Sequence, residues 1–474
     1  MSWSKLPCEL RHDILTRLAE VESRNGKTLT GSATVATEWQ PIFEKSTFKN
    51  LRIKASELES FQAMFRVQRR RAYLREIGLA LELPQQGHLR RNVLGRTSQD
   101  RAIGQMVITA RQGAGANRHL PGLERQQKEN SMAFTHAICA LFGQLATWRR
   151  DQVHREGIAL EIIADSMSYW QKTVTKVQRR TNPVVIYVGD GWEFQPTTIP
   201  PWMWEKCLDA AKPDFHFSLE LDFRDACLLP RVQAITSLLI SRRSVRHFEP
   251  EGISEIIRCL PALTAFNWEV RRRAHWKMKY SFDEELSKAM STWPSSLNDI
   301  RITQLQHLRS HSRPSPHLAE LGSGLACRCR HLTRLSINYS IDAFEFFRAM
   351  DQESYGLQYL VLRSEQMIID ELPGSNSHLI SMAVGAVNQM PKLRFLALYN
   401  TSSSHVGYFN YEMTDDMPML SIRCSWLFEV AEKCLESWQA ILKGDGSGSA
   451  KWCIERLPIR RVRFLLSVIS RRKK

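Results

Sequence analysis

The tightest cluster of metal-capable side chains in this 474-residue chain is Cys327-Arg328-Cys329-Arg330-His331. Thiolates and an imidazole hold zinc when four such ligands converge, usually as two pairs. No second pair follows at a workable spacing, so no metal is assigned. His307, His311 and His317 share one Arg/Ser/Pro-rich stretch that lacks a cysteine or carboxylate frame. Paired carboxylates can move protons or hold a cation, and Asp190 with Glu193 and Asp415 with Asp416 are the pairs to consider. Isolated acid pairs in loops are ordinarily solvated. There is no Gly-x-Ser-x-Gly elbow, no P-loop and no His-Glu-x-x-His. Gly113-Ala-Gly115-Ala116 has no strand before it and no Lys-Ser/Thr after it, so it cradles no phosphate. No nucleophile has a base at a usable spacing. The sequence points away from an enzyme and from any cofactor.

Charge is the next source of chemistry. Lys and Arg number 65 against 49 Asp and Glu, a formal +16. The excess sits in runs at Arg69–Arg71, Arg179-Arg180, Arg242-Arg243, Arg271–Arg273 and Arg460-Arg461, and in Arg471-Arg472-Lys473-Lys474 at the tail. Such runs attract nucleic acid or an acidic surface, and the tail also fits the loose pattern of a nuclear import signal. The plainer reading is a set of solvated loop and helix-end arginines. With no basic–aromatic groove motif beside them, nucleic acid is not expected as the partner.

Composition, 43% hydrophobic and 24% charged, is that of a folded chain with length for two or three domains. The most apolar stretch, Met132 to Trp148, carries His136 and Gln144. Its Phe134, Ile138, Leu141, Phe142, Leu145 and Trp148 fall at helical offsets, so it reads as a helix with one buried face and not as a membrane span. No apolar signal region precedes Pro7, and the ten scattered cysteines read by default as buried thiols. A cytoplasmic and/or nuclear protein without a membrane partner is the expectation.

The elements that organise the chain begin at its N-terminus. Leu6-Pro7 opens an amphipathic run in which Leu10, Ile14, Leu15 and Leu18 share a helical face. After Asn25-Gly26 a second apolar set, Val35 to Trp39, predicts another helix. Pro41 ends it and starts a third through Ile42 and Phe43, followed by Phe48, Leu51 and Ile53. Three short helices of this length need a partner or the rest of the chain to cover their apolar faces. The residues Leu6-Pro7-x-Glu9-Leu10, Ile14-Leu15-x-x-Leu18, and Val35 with Trp39 resemble the F-box, the adaptor-binding module of Skp–cullin–F-box ubiquitin ligases. That resemblance implies that Leu6, Pro7, Leu10, Ile14, Leu15, Leu18, Val35 and Trp39 form the module that docks on the Skp adaptor, some by holding the helices together. The plainer alternative is a helical cap on the domain behind.

Behind this module, taken as residues 1–55, Ser56-x-x-Glu59 predicts a capped helix with Leu58, Phe61, Met64 and Phe65 inward. Ile77, Leu79, Leu81 and Leu83 predict a strand ended by Pro84. Residues 85–130 turn polar and read as a flexible insertion. A short strand is expected near Ile158 to Ile163, before an aromatic-rich stretch through Trp170, Trp192, Trp202 and Trp204 that reads as irregular packing.

From residue 235 a pattern apolar-x-x-apolar-x-apolar recurs: Ile235/Leu238/Ile240, Leu263/Phe266/Trp268, Leu297/Ile300/Ile302, Leu332/Leu335/Ile337, Leu357/Leu360/Leu362 and Leu393/Leu396/Leu398. Helical patterns lie between, among them Phe282/Leu286/Met290, Leu318/Leu321/Leu325 and Phe344/Phe347/Met350. Strand and helix alternating at this period predict an irregular leucine-rich-repeat-like solenoid over residues 56–474, an α/β fold with a parallel sheet on its concave side. Leu74/Ile77/Leu79 fits as a first rung. Where regular repeats carry a ladder of Asn or Cys, this chain has Arg243, Arg271, Leu305, Ser340, Glu365 and Thr401. Tyr408 to Tyr411 reads as an edge strand. A strand near Leu420 to Cys424 and a helix from about Phe428 to Leu442 would cap the array, before a Gly/Ser loop and a basic C-terminal element.

Pro230 to Ile240, Met390 to Asn400, and Ser421-Ile-Arg-Cys-Ser-Trp426 with Glu436-Ser-Trp438 look like a filamentous-fungal family that pairs an F-box-like start with a repeat-like C-terminal region. The resemblance implies a substrate-recognition subunit of a ubiquitin ligase, presenting a client on the solenoid. Arg243 and Arg271 would then favour an acidic or phosphorylated client. The alternative is a non-catalytic interaction scaffold whose N-terminal helices only cap the solenoid.

Overall fold

The computed structural model describes residues 3–24, 29–83, 121–165, 218–219, 229–241, 244, 247–270, 276–304, 318–337, 341–351, 355–364, 367, 375–401, 406–414, 417–425, 432–443 and 451–456. The chain is mixed α/β with a mostly parallel sheet, and it divides into two compact units, Met1–Gly252 and Ile253–Lys474. No helix among the described residues is long and apolar enough to cross a membrane.

The first unit opens with helices α1 (Cys8–Arg24), α2 (Thr30–Ala33) and α3 (Gln40–Thr47). Pro41 lies in the first turn of α3, where its missing N–H costs nothing. The second helix falls at Thr30–Ala33 and not over Val35 to Trp39, which is a run of turns held by Thr34 and Val35 N–H groups donating to Gly31 and Ser32 carbonyls. Leu51 and Ile53, expected to follow the third helix as part of the module, instead lie in strand β1 (Asn50–Lys54). β-branching and period-two burial suit Ile53 to the sheet, where it is buried.

Strand β1 pairs in parallel with β2 (Glu76–Glu82), β2 with β3 (Ile158–Asp165), and β3 with β5 (Ile235–Ile240), which follows the short β4 (Ser218–Leu219). A two-stranded pairing joins β4 to β6 (His247–Phe248). The rung expected at Leu74/Ile77/Leu79 is therefore β2, but β1 precedes it. Helices α4 (Leu58–Met64) and α5 (Gln68–Tyr73) cross between β1 and β2. The expected Ser56/Glu59 cap is displaced by two residues: Glu57, not Glu59, accepts the Lys54 N–H at 2.9 Å. Helix α6 (Pro121–Leu145) begins eleven residues (132 − 121) before its apolar stripe, so residues 121–130 belong to it and not to the insertion. The rest of that stretch, the tryptophan-rich region, the histidine-rich loop and both acid pairs lie outside the described residues. Gly157 turns the chain into β3 at φ 82°, and a Cβ there would meet Thr236 Cγ2 at 2.3 Å, so only glycine fits.

The boundary between units falls in the first turn of α7 (Pro250–Arg258). The second unit alternates β7 (Ala265–Val270), α8 (Trp276–Met290), β8 (Asp299–Gln304), α9 (Leu318–Cys329), β9 (Arg334–Ile337), α10 (Ala343–Ala349), β10 (Tyr359–Arg363), α11 (Ser375–Gln389) and β11 (Phe395–Thr401). Neighbouring strands are parallel from β7 to β11. Phe266, Leu297, Ile300, Leu332, Leu335, Leu357, Leu360, Leu362, Leu393, Leu396 and Leu398 are all buried, as their repeat predicts. On α10 the inward residues are Phe346 and Phe347, with Phe344 half-buried.

Backbone groups make the step from one strand to the next. The N–H groups of Asn298 and Asp299 donate to Thr264 O, those of Thr333 and Arg334 to Asn298 O, those of Gln358 and Tyr359 to Thr333 O, and those of Arg394 and Phe395 to Gln358 O. These bonds of 2.8–3.1 Å recur without a side-chain ladder. Beyond β11 the direction changes. β12 (Val406–Thr414) is antiparallel to β11 and to β13 (Met417–Cys424), while β14 (Lys451–Arg456) is parallel to β13. The Tyr408 to Tyr411 strand thus has a neighbour on each side and is not an edge. Trp438 of α12 (Glu432–Lys443) packs on Phe409 and Tyr411 and donates its indole N–H to Ile380 O of α11. These contacts mark the helix-covered face of this sheet.

Candidate protein-binding surface

At 3.6 residues per turn, Leu15 and Ala19 lie roughly 140–180° around α1 from Leu10, whereas Ile14 and Val21 lie within roughly 40° of it. The two groups meet different surroundings. Leu15, Ala19, Leu29 and Phe43 form a buried core, with Trp3, Leu18, Ala33, Trp39 and Ile42 packed around it. Leu10 (51% exposed), Ile14 (45%) and Val21 (51%) lie on the solvent side, and Val35 (64%) is exposed as well. The set that spacing alone places on one face is thus split: Leu15 is core, Leu6 and Leu18 are half-buried, and Pro7, Leu10 and Ile14 are open. Trp39 belongs with the core, stacked on Phe43 at 5.7 Å and tilted against Trp3 at 6.0 Å.

Two polar clamps hold the Val35 turn along α1. Glu38 accepts from the Trp3 indole and from Arg11 at 2.6 Å, and Ser32 donates to Glu22 at 2.9 Å. Val35 lies between the two anchors in sequence, three residues from each. Leu10, Ile14 and Val21 then form an exposed apolar stripe on a helix that packs its core from the other side, and Val35 is exposed on the turn after α2. Sequence reasoning did not single out Val21, although its place seven residues after Ile14 is a heptad signal. It also passed over Glu38 and Glu44, which bracket Trp39 and Phe43.

Glu44 joins the three helices to the rest of the first unit. Its carboxylate is buried and accepts from Arg69 Nε at 3.0 Å, Arg70 Nη2 at 2.7 Å and Gln40 Nε2 at 3.2 Å. Burial alone would raise its pKa; the hydrogen bonds and charges of Arg70 and Arg69 outweigh that and hold it below the usual carboxylate range. Arg70 also lies over the Phe48 ring at 5.0 Å. Arg71 donates to Phe65 O at 2.7 Å and lies over Trp148 at 5.3 Å, beside the Phe61–Phe65–Trp148 cluster. The Arg69–Arg71 run, read from sequence as solvated charge, is a joint between α3, α4, α5 and the end of α6.

The remaining candidates behave differently. Cys327 is exposed and Cys329 buried, because residues two apart on α9 point to opposite sides. Burial pushes the Cys329 thiol far up. Cys424 and Cys434 are buried as expected, but Cys8 and Cys453 are exposed. No cluster of His, Cys, Asp or Glu suited to a metal occurs among the described residues. Arg243 and Arg271 lie outside them. Three described arginines on strands of the second unit are paired: Arg301 with Asp299 at 2.7 Å, Arg423 with Glu455 at 3.4 Å, and Arg334 over the Tyr359 ring at 4.9 Å.

Residues 266–472 match the model of a family of unknown function, DUF6546. No curated protein matches the chain.

Proposed function

We propose that the protein is a non-catalytic substrate-recognition subunit of a Skp–cullin–F-box ubiquitin ligase. In this reading α1 to α3 form an F-box-like module and dock on the Skp adaptor. The strand–helix alternation is a leucine-rich-repeat-like array that presents a protein client. The observation that carries the reading is the exposure of Leu10, Ile14 and Val21 along one side of α1, and of Val35 on the following turn, in a stretch that resembles the F-box and whose core is formed by Leu15, Ala19, Leu29 and Phe43. Burying the exposed half of four such side chains is worth about 3–6 kcal/mol gross, no more than the cost of association, so the adaptor must add contacts around them. Of the residues the resemblance implies, Pro7, Leu10, Ile14 and Val35 would touch the adaptor, while Leu15 and Trp39 would hold the module.

A second reading, a scaffold whose N-terminal helices only cap the array, draws on the Glu44 joint that fastens α3 to α5. Co-elution of the purified full chain with purified Skp adaptor, at low and high salt, separates the two. Apolar docking predicts a complex that survives high salt and is lost in Leu10→Asp/Ile14→Asp. No complex under either condition would leave the module as a cap.

A further inference from the structure

We propose that the edge of the first unit at which β1, β2 and β3 begin is a docking surface for an acidic, carboxylate-rich segment of a partner protein. Parallel strands start along one edge of their sheet, so the residues just ahead of them stand side by side. Here these are Lys49 before β1, Arg75 before β2, and Arg155 three residues (158 − 155) before β3. Backbone bonds set the row. The Arg75 N–H donates to Lys49 O at 2.8 Å, and the Ala159 N–H donates to Arg75 O at 2.8 Å. The turn that carries Arg155 is fixed as well. Arg150 donates to His154 O at 2.7 Å and to Arg155 O, the Gly157 N–H donates to His154 O at 2.8 Å, and Thr236 Oγ1 donates to Glu156 O at 2.7 Å.

These cations differ from ordinary solvated charge. Lys49, Arg75 and Arg155 are exposed, and their side chains make no ion pair or hydrogen bond among the described residues. Other arginines have a carboxylate: Arg69 and Arg70 hold Glu44, Arg149 holds Asp151, and Arg330 holds Asp351. The unpaired ones also crowd together. Burial first, and then the charges of Arg75, Arg155 and Arg150, hold the partly buried His154 below its usual pKa against the opposing pull of Glu156. Like charges so placed repel one another, and an anion relieves them. The second unit builds its strand starts otherwise, with uncharged Thr264, Asn298, Thr333 and Gln358 at the steps before Arg394. A basic row is therefore no by-product of starting a parallel strand. The chemistry also selects the partner. Guanidinium groups pair with carboxylates in forked geometry. Glu76 and Glu156 stand exposed within the row, and a nucleic-acid strand, charged at every nucleotide, would meet both. Trp148, which precedes Arg149-Arg150, is buried with Arg71 over its ring and offers no face on which a base could stack. A peptide places its carboxylates at chosen residues instead. The starts of β1 and β3 are two strand spacings apart, about 10 Å, which three residues of extended chain span.

This docking does not rest on the proposed function. The test titrates the full chain into a fluorescein-labelled oligoglutamate at low ionic strength and reads anisotropy. Arg75→Gln/Arg155→Gln should weaken binding at least about tenfold. Lys392→Gln/Arg394→Gln removes the same net charge from exposed positions of the second unit and should change binding less than about twofold. No binding by the wild type, or equal losses in the two pairs, overturns the proposal, the second by reducing it to attraction by net charge. The His154 imidazole resonances of the wild type should shift on addition of the peptide, and an unmoved His154 counts against the site equally. A labelled oligothymidylate that binds more tightly through Arg75 and Arg155 would overturn the acidic peptide in favour of nucleic acid. Glu76→Gln keeps the test decisive should the double arginine variant fold poorly. Removing that acid from the row should tighten the peptide by about two- to threefold, and unchanged or weaker binding overturns the proposal.

Discussion

The strand–helix array of the second unit and the three-helix module of the first spend their apolar residues differently. From β7 to β11 the apolar residues of the repeat, Leu297, Ile300, Leu335, Leu360 and Leu396 among them, are withdrawn completely from water. In the module, Leu10, Ile14, Val21 and Val35 stay in solvent while Leu15, Leu29 and Phe43 suffice for the core. An array strand has neighbours on both edges and helices against one face, so each apolar side chain has somewhere to go. A three-helix module has one small interior, and its surplus stays in solvent. That surplus is the surface the proposed docking would use.

The largest effects test whether both interiors are real. Leu396→Ala in the array and Phe43→Ala in the module should each cost about 3–5 kcal/mol in urea unfolding, because each empties a fully closed site. A loss below about 1 kcal/mol at Phe43, within the range of surface substitutions, would make the module a loose attachment and erase the contrast. Next in size is the joint. Glu44→Gln leaves Arg69 and Arg70 facing a neutral amide and should cost about 2 kcal/mol, less than a fully buried pair because both arginines are partly solvated. Arg69→Lys should cost less, since it keeps the charge.

The same carboxylate gives a pH signature. A glutamate whose folded pKa is depressed contributes stability that is fully present above its unfolded value, and that is lost as pH falls through the depressed value. Wild type should therefore lose stability on acidification more steeply than Glu44→Gln. Matching acid limbs would remove Glu44 from the account. Smallest is the exposed clamp: Glu38→Gln should cost under about 1 kcal/mol while loosening the Val35 turn, read as faster amide exchange at residues 34–37.

Much of the array was legible because its signal repeats. Every apolar-x-x-apolar-x-apolar set from Ile235 to Leu398 includes residues of an observed strand, since period-two burial against a helix layer leaves one pattern per rung. The antiparallel turn at β12 was not legible: Tyr408 to Tyr411 alternates like any strand, and direction leaves no trace in side-chain period. On α1 the residue types were right but their roles were not. Leu10, Ile14, Leu15 and Leu18 satisfy one helical template, and only the position of Phe43 and Leu29 decides which side faces inward. The Arg69–Arg71 run misled for a related reason. Its partner Glu44 lies 25 residues away, beyond any local pattern.

The central claim is that α1 has a core side and a partner side. The most direct measurement titrates purified Skp adaptor into the wild-type full chain and into Leu10→Ala/Ile14→Ala and Leu15→Ala, with unfolding curves for all three. The account predicts that Leu10→Ala/Ile14→Ala keeps stability within about 0.5 kcal/mol per site yet loses adaptor affinity by tenfold or more, while Leu15→Ala loses about 2–5 kcal/mol of stability. Unchanged affinity in Leu10→Ala/Ile14→Ala, or a loss of stability equal to that of Leu15→Ala, would contradict it.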